Sequence, residues 1–206
     1  MPTCQVCGNK VSAFRSAGGI LGPDSLWTCK SCIPQYRLQQ KRAAMKLLCE
    51  DEPPRQLIRI PHVNQLAYGQ HALLCGTLLV TEKGIVFAGV APAPRVNPVG
   101  LVFGVLGALM SGLFGMRRRK RELAAAMDRM AKVPEDLAGT LEDAEQVTLI
   151  RTHHVTRLKF GWAAGLQVWT TSRSAWKAFV LLDKQQRWDE YRQGIEQAVL
   201  AGGGKV

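Results

Sequence analysis

The chain has 206 residues, of which 47% are hydrophobic and 21% charged, and at roughly 100 to 200 residues per domain it holds one large domain or a small one joined to a medium one. This composition excludes a wholly disordered chain, which is poorer in apolar residues, and a collagen-like one, which needs a strict glycine period. A formal net charge of +11 favours anionic partners such as nucleic acid or acidic lipid headgroups. Nearly half of that excess sits in five consecutive residues, Arg117, Arg118, Arg119, Lys120 and Arg121.

The chain opens Met-Pro-Thr-Cys-Gln-Val-Cys, with no basic segment followed by an apolar one. No secretory signal is therefore expected, and the thiols are expected to stay reduced in the cytoplasm. Four of the six cysteines form two Cys-x-x-Cys pairs, Cys4 with Cys7 and Cys29 with Cys32, and 21 residues separate the pairs. A two-residue spacer lets two sulfurs reach one metal at about 2.3 Å, and four thiolates suit tetrahedral Zn2+. The gap slightly exceeds the usual four-cysteine template of about 15 to 20 residues. Gly8, directly after Cys7, supplies the backbone freedom of a tight knuckle. Ala17-Gly18-Gly19 and Gly22-Pro23-Asp24 are turn signals for a small hairpin or loop between the half-sites. A redox Cys-x-x-Cys needs one pair after a strand in a βαβ unit, and the pattern here is different. With four cysteine ligands no coordination position is left for water, so the site is expected to be structural. Metal binding would then supply most of this module's folding free energy, on the order of 10 kcal/mol.

From Cys29 a helix is expected, with Tyr36, Met45, Leu47 and Leu48 apolar and Lys30, Arg37, Lys41, Arg42 and Lys46 basic. That cationic face is either solvated or a contact for phosphates, which makes nucleic acid the less favoured partner class. Glu50-Asp51-Glu52-Pro53-Pro54 stops the helix. The expected organisation is a module at 1–50, a linker at 51–55 and a second domain at 56–200. The segments Cys4-Gln5-Val6-Cys7-Gly8 and Cys29-Lys30-Ser31-Cys32 resemble the treble-clef or zinc-ribbon modules at the N-termini of many bacterial proteins of unknown function. That resemblance implies zinc and no particular activity.

Beyond Leu57 the pattern changes to short β-like runs: His71–Cys75, Gly76–Thr81, Gly84–Ala88, Gln146–Ile150, Val155–Phe160, Leu166–Thr170 and Ala178–Leu182. Turn signals at Glu82-Lys83-Gly84, Gly161 to Gly165 and Ser172 to Ser174 separate them, so an antiparallel sheet is expected. From Lys184 to Ala201, Trp188, Tyr191, Ile195 and Val199 recur at three- and four-residue steps and mark the core-facing stripe of a closing helix. The fold class is thus α+β. Seven short strands and a C-terminal helix resemble the pleckstrin-homology (PH) superfold. Gly76–Phe87 is similar to the early hairpin of GRAM-like and bacterial PH-like families; Leu166–Thr171, Trp176–Leu182 and the helix with Trp188 are similar to their end. The resemblance implies a PH-like antiparallel barrel that binds lipid or peptide without catalysis.

Residues 91–145 form an insertion into that pattern. Val99 to Met116 is uncharged, reading VGLVFGVLGALMSGLFGM; as a helix it would span about 27 Å against a hydrocarbon core of about 30 Å. Gly100, Gly104, Ala108 and Gly112 lie at four-residue steps, and Gly107, Ser111 and Gly115 form a neighbouring ridge, the spacing of a close helix-packing surface. The basic run Arg117–Arg121 follows, as at a cytoplasmic headgroup surface. If the flanking strands share one sheet, a single crossing is forbidden. The segment Glu122–Lys132 carries Glu122, Asp128, Arg129 and Lys132, too many charges for a returning span. What remains is a monotopic or re-entrant insertion at the inner face of the membrane, a glycine-lined surface that packs on protein or a second copy, or a true span incompatible with the PH-like assignment.

No catalytic constellation emerges. His153 and His154 are adjacent and would face opposite sides of a strand, and His62 and His71 lack an acidic or cysteine neighbour. Cys49 and Cys75 are lone thiols, expected to be buried as small hydrophobes. No phosphate-loop, nucleophile-elbow or zinc-protease motif is present. A non-enzymatic binding or adaptor protein with no small-molecule substrate is the expectation, at home in the cytoplasm and at the membrane's inner face.

Overall fold

A computed structural model of the chain describes residues 3–11, 20–21, 27–67, 74–92, 121–161, 165–170, 176–181 and 186–206. The N-terminal module contains a two-stranded antiparallel ribbon, β1 (Ile20–Leu21) and β2 (Trp27–Thr28), so the half-sites are joined through a small hairpin as expected. The turn signals at 17–19 and 22–24 lie outside the described residues. A turn at Lys30–Cys32 leads into α1 (Ile33–Met45), which has a proline in its first turn and ends in a widened helical turn, Lys46–Glu50. Asp51 is extended, so the chain leaves the helix at the acidic cluster that precedes Pro53 and Pro54.

Seven strands follow: β3 (Ile58–Ala67), β4 (Leu74–Val80), β5 (Gly84–Pro92), β6 (Gln146–Arg151), β7 (Val155–Gly161), β8 (Gly165–Thr170) and β9 (Trp176–Leu181). Between β5 and β6 lie α2, helical through residues 121–131, and α3 (Leu137–Asp143); α4 (Trp188–Ala201) closes the chain. The sheet is antiparallel throughout, in the order β6-β5-β4-β3-β9-β8-β7.

That order forces curvature. The turn Thr152–His154 links the two terminal strands, β6 and β7, and four backbone steps reach no more than about 14 Å. In a flat sheet the same strands would stand about 29 Å apart at about 4.8 Å per strand. The sheet therefore curls into a half-barrel, and Ile150 and Val155 from its two ends meet in one core with Ile60, Leu78, Val80, Ile85, Phe87, Leu166, Val168 and Phe179. Ile195, Ala198 and Val199 of α4 join this core, and Trp188 and Tyr191 pack against it, as the helical stripe predicts.

Strands β4 to β6 are buried on both faces. Leu78, Val80, Ile85, Phe87 and Ile150 point inward. Their neighbours Leu79, Val86, Ala88, Val147 and Leu149 point outward and pack with Ala44 and Leu48 of α1 and Leu141 of α3. Further along, Cys75, Val90 and Ala91 are covered by Ala126, Met130 and Val133. Burial on both sides is why these strands read as unbroken apolar runs and not as alternating ones.

Three expectations are corrected. The runs His71–Cys75 and Gly76–Thr81 are one strand over their described part, β4, with a register shift between Cys75 and Gly76 where the glycine carries the irregularity. The seventh strand is β3, which carries Pro61 and breaks register between Ile60 and Val63, with His62 in the left-handed region at φ 57°. A proline inside a strand normally demotes it; here the bulge removes the need for its missing N–H. His153 and His154 sit in a turn, not a strand, with ring centroids 4.2 Å apart.

The glycine-rich run at 99–116, with Gly100, Gly104, Ala108 and Gly112, lies outside the described residues, as do Arg117, Arg118, Arg119, Lys120 and His71. Arg121 is exposed on α2. Among the described residues no helix is long and apolar enough to cross a membrane. The strands on either side of the insertion pair directly, from Gly84 with Arg151 to Gly89 with Gln146. Both ends of the insertion therefore lie at the same end of this strand pair.

Phe87 is fully buried with its ring centroid 5.8 Å from that of Phe179, whereas Leu38 on α1 is 48% exposed. Phe87→Ala should lower the unfolding free energy by about 3–5 kcal/mol and Leu38→Ala by less than about 0.5 kcal/mol, both read from urea unfolding. Equal effects would mean that the core is misassigned.

Candidate metal centre

The two cysteine pairs converge. The four sulfurs of Cys4, Cys7, Cys29 and Cys32 all lie within 4.8 Å of one another, close enough to hold a metal ion. Cys7 Sγ and Cys29 Sγ are 3.8 Å apart. That is the edge of a tetrahedron whose metal–sulfur bonds are about 2.3 Å, since such an edge measures about 3.8 Å, and it is far beyond the roughly 2 Å of a disulfide.

Local backbone chemistry sets this geometry. The first knuckle closes through Gly8 N–H donating to Cys4 O at 2.8 Å and Cys4 N–H donating to Asn9 O at 2.8 Å, with Gly8 at φ +72°. A side chain is disfavoured there by backbone conformation alone, because a Cβ on Gly8 would meet no atom within 4 Å. The hairpin delivers the second knuckle: Gln5 N–H donates to Trp27 O at 2.8 Å, and Gln5 Nε2 donates to Thr28 Oγ1 at 2.8 Å. Cys32 N–H donates to Cys29 O at 3.0 Å, turning the chain into α1.

The sulfurs are electrostatically unequal. Burial opposes ionisation of Cys4, but the N–H groups of Cys29, Cys7 and Val6 outweigh it and bring its pKa down to about 6; the Cys29 N–H lies 3.3 Å from Cys4 Sγ. Cys29 is also lowered, first by the Ser31 hydroxyl 3.2 Å away and then by Cys32. Cys32 moves the other way, to about 12, because Cys29 uses it as a hydrogen-bond donor and burial adds to that. The cluster thus sets two thiols that ionise readily beside one that holds its proton, and a bound cation would displace that proton. Cys4 is 2% exposed and Cys7 is on the surface, so the site is anchored on one side and open to metal entry on the other.

Other candidate residues are dispersed. Lys30, Arg37, Arg42 and Lys46 are exposed before, on and just after α1. Lys41 instead turns inward, donating to Glu142 O at 2.6 Å and Ala144 O at 3.2 Å at the C-terminal end of α3, where a cation complements the helix dipole. Cys75 is buried as expected, but Cys49 is exposed: it follows the buried Leu48 in the terminal turn and points to the opposite side. The Ser31 hydroxyl and the Gln5–Thr28 pair are contributors that cysteine spacing does not reveal, although Ser31 stands inside the second knuckle. No protein family matches the chain, and no curated protein and no solved structure matches it.

The cluster should take up one Co2+ per chain and give the absorption of a tetrahedral thiolate centre, and Cys7→Ser should abolish that spectrum. Loading at pH 7.5 should release at least the Cys32 proton, so affinity should rise with pH; proton release in weak buffer with an indicator dye measures it. Gly8→Ala should weaken the metal about fivefold, the equivalent of about 1 kcal/mol of left-handed strain, as read by competition with a chromogenic chelator.

Proposed function

We propose that this chain is a non-enzymatic, zinc-stabilised binding or adaptor protein built on a PH-like domain, held at the inner face of the membrane by its glycine-rich insertion. Zinc is the ion that suits four thiolates without redox chemistry or an open ligand position, and its role here is structural. An antiparallel sheet of seven strands whose first strand pairs with its last, with a C-terminal helix packed into the curled core, supports the PH-like reading. The cytoplasmic assignment follows from the reduced, metal-binding use of the cysteines.

The observation that carries the membrane reading is the pairing of β5 with β6. The insertion between these two strands carries an apolar run of 18 residues, 99–116, followed at once by Arg117, Arg118, Arg119, Lys120 and Arg121. An insertion of that kind touches or dips into a bilayer from one side, with the basic run at the level of acidic headgroups, where each cation contributes about 1 kcal/mol. The nucleic-acid reading is weaker because Lys41, central to the basic face of α1, is already bonded to α3.

Full-length protein should float with liposomes containing acidic lipid. A chain with 99–116 replaced by a Gly/Ser linker should stay at the bottom while giving the same circular dichroism. Replacing Arg117–Arg121 by glutamine should weaken binding at least about tenfold, and raised salt should mimic that change. If neither chain floats, the run is a protein-packing element and Gly100, Gly104, Ala108 and Gly112 become an oligomer interface. Flotation indifferent to both salt and the glutamines would remove the electrostatic part.

A further inference from the structure

We infer that the metal centre is a lock on the sheet: an ion at Cys4, Cys7, Cys29 and Cys32 nucleates α1 and so holds it over the outer face and terminal strand β6, and loss of the ion releases that cover. This rests on the reading of the four cysteines as a zinc site.

Helix α1 is poorly equipped to start by itself. Its N-cap is Cys32, no side chain caps it, its first turn holds no acid, and Arg37 and Lys41 set like charges one turn apart. An isolated helix of this length is marginal even with good caps. Two of the four candidate ligands, Cys29 and Cys32, lie in the turn that enters it. A divalent ion with four thiolates fixes that turn and sets a net negative charge against the helix N-terminus, where the dipole favours it.

What the helix then holds is part of the outer face of the half-barrel. Gln40, Ala44 and Leu48 recur at four-residue steps on α1. Ala44 and Leu48 are buried with Leu79, Val86 and Leu149. Gln40 Oε1 accepts from Leu149 N–H at 3.3 Å. Strand β6 ends the hydrogen-bonded order, so Leu149 N–H is a ladder donor with no strand beyond it, and the Gln40 side chain takes the place of the missing neighbour. Lys41 fastens the same surface to α3. From Cys32 to Leu48 the helix runs about 24 Å, so the ion acts on the sheet at a distance through one rigid element. Without it, an apolar face and an open strand edge are presented together, the combination that recruits further strands.

Hydrogen exchange on the full chain, loaded with zinc and then stripped with chelator, tests this. Exchange at Leu149 and its β6 neighbours should speed up at least about tenfold on stripping, while Val168 and Phe179 in the remote strands keep their protection. Because coupling between two equilibria is reciprocal, Leu48→Ala should weaken zinc binding by about 5- to 150-fold, and Gln40→Ala, which removes only a hydrogen bond, by a smaller factor. Unchanged Leu149 protection in a chain shown to have lost its zinc overturns the lock. So does wild-type zinc affinity in both variants, which decides the matter if the stripped chain unfolds throughout. A chain that takes up no zinc overturns the metal reading itself, and the lock with it.

Discussion

The antiparallel pairing of β5 with β6 is the constraint on which most of this structure depends. It joins Gly84–Gly89 to Gln146–Arg151 across more than fifty intervening residues, so everything between must leave and return at one end of a strand pair. The returning chain covers the outer face: Ala126, Met130 and Val133 lie over Cys75, Val90 and Ala91, and Leu141 lies over Leu79 and Val86. Arg59 of β3 donates to Pro134 O at 2.9 Å and to Glu135 O, holding the loop before α3 to the sheet. The described part of the insertion is therefore packed on the sheet over its whole return to β6.

The same pairing gives the half-barrel two cores. The inner one is sealed by α4 and by the C-terminal turn, where Lys205 N–H donates to Val155 O at 2.9 Å and Thr152 Oγ1 donates to Glu82 O at 2.6 Å. The outer one is shared between α1, an element contributed by the cysteine module, and the helices of the insertion. The acidic linker segment is drawn in as well: Glu82 accepts from Arg55 N–H at 2.9 Å and Gln56 N–H at 3.4 Å, and Lys83 donates to Glu52 O. The cysteine cluster at one end of α1 and the sheet packing at the other are thus joined by one helix, and the proposed lock follows from that continuity.

Much of the candidate site was legible in sequence, because a metal centre built from Cys-x-x-Cys knuckles is a local device. Spacing fixes which sulfurs can share an ion, and Gly8 marks the turn that brings Cys4 and Cys7 together. The apolar stripe of α4 was equally legible, since a helix face is written every three or four residues. Strand β3 was obscured by Pro61, which is tolerated only because of the bulge at His62. The merging of two runs into β4 was obscured by Gly76, which reads as a turn but serves as a register shift. Cys49 and the histidine pair were misplaced because one residue of rotation at an element's end decides which side a side chain faces.

By itself, then, the sequence determined the four candidate ligands, the α+β class, the amphipathic closing helix and the boundaries of the charged and apolar runs, all properties set by residues close together along the chain. Tertiary structure alone decided that β6 and β7 stand at opposite ends of one curled sheet. It also decided that Lys41 serves α3 and not a phosphate, and that Gln40 of the cysteine module completes the hydrogen bonding of β6. These depend on pairings across roughly a hundred residues, and such pairings are chosen by the shared burial of two faces, which no local pattern encodes.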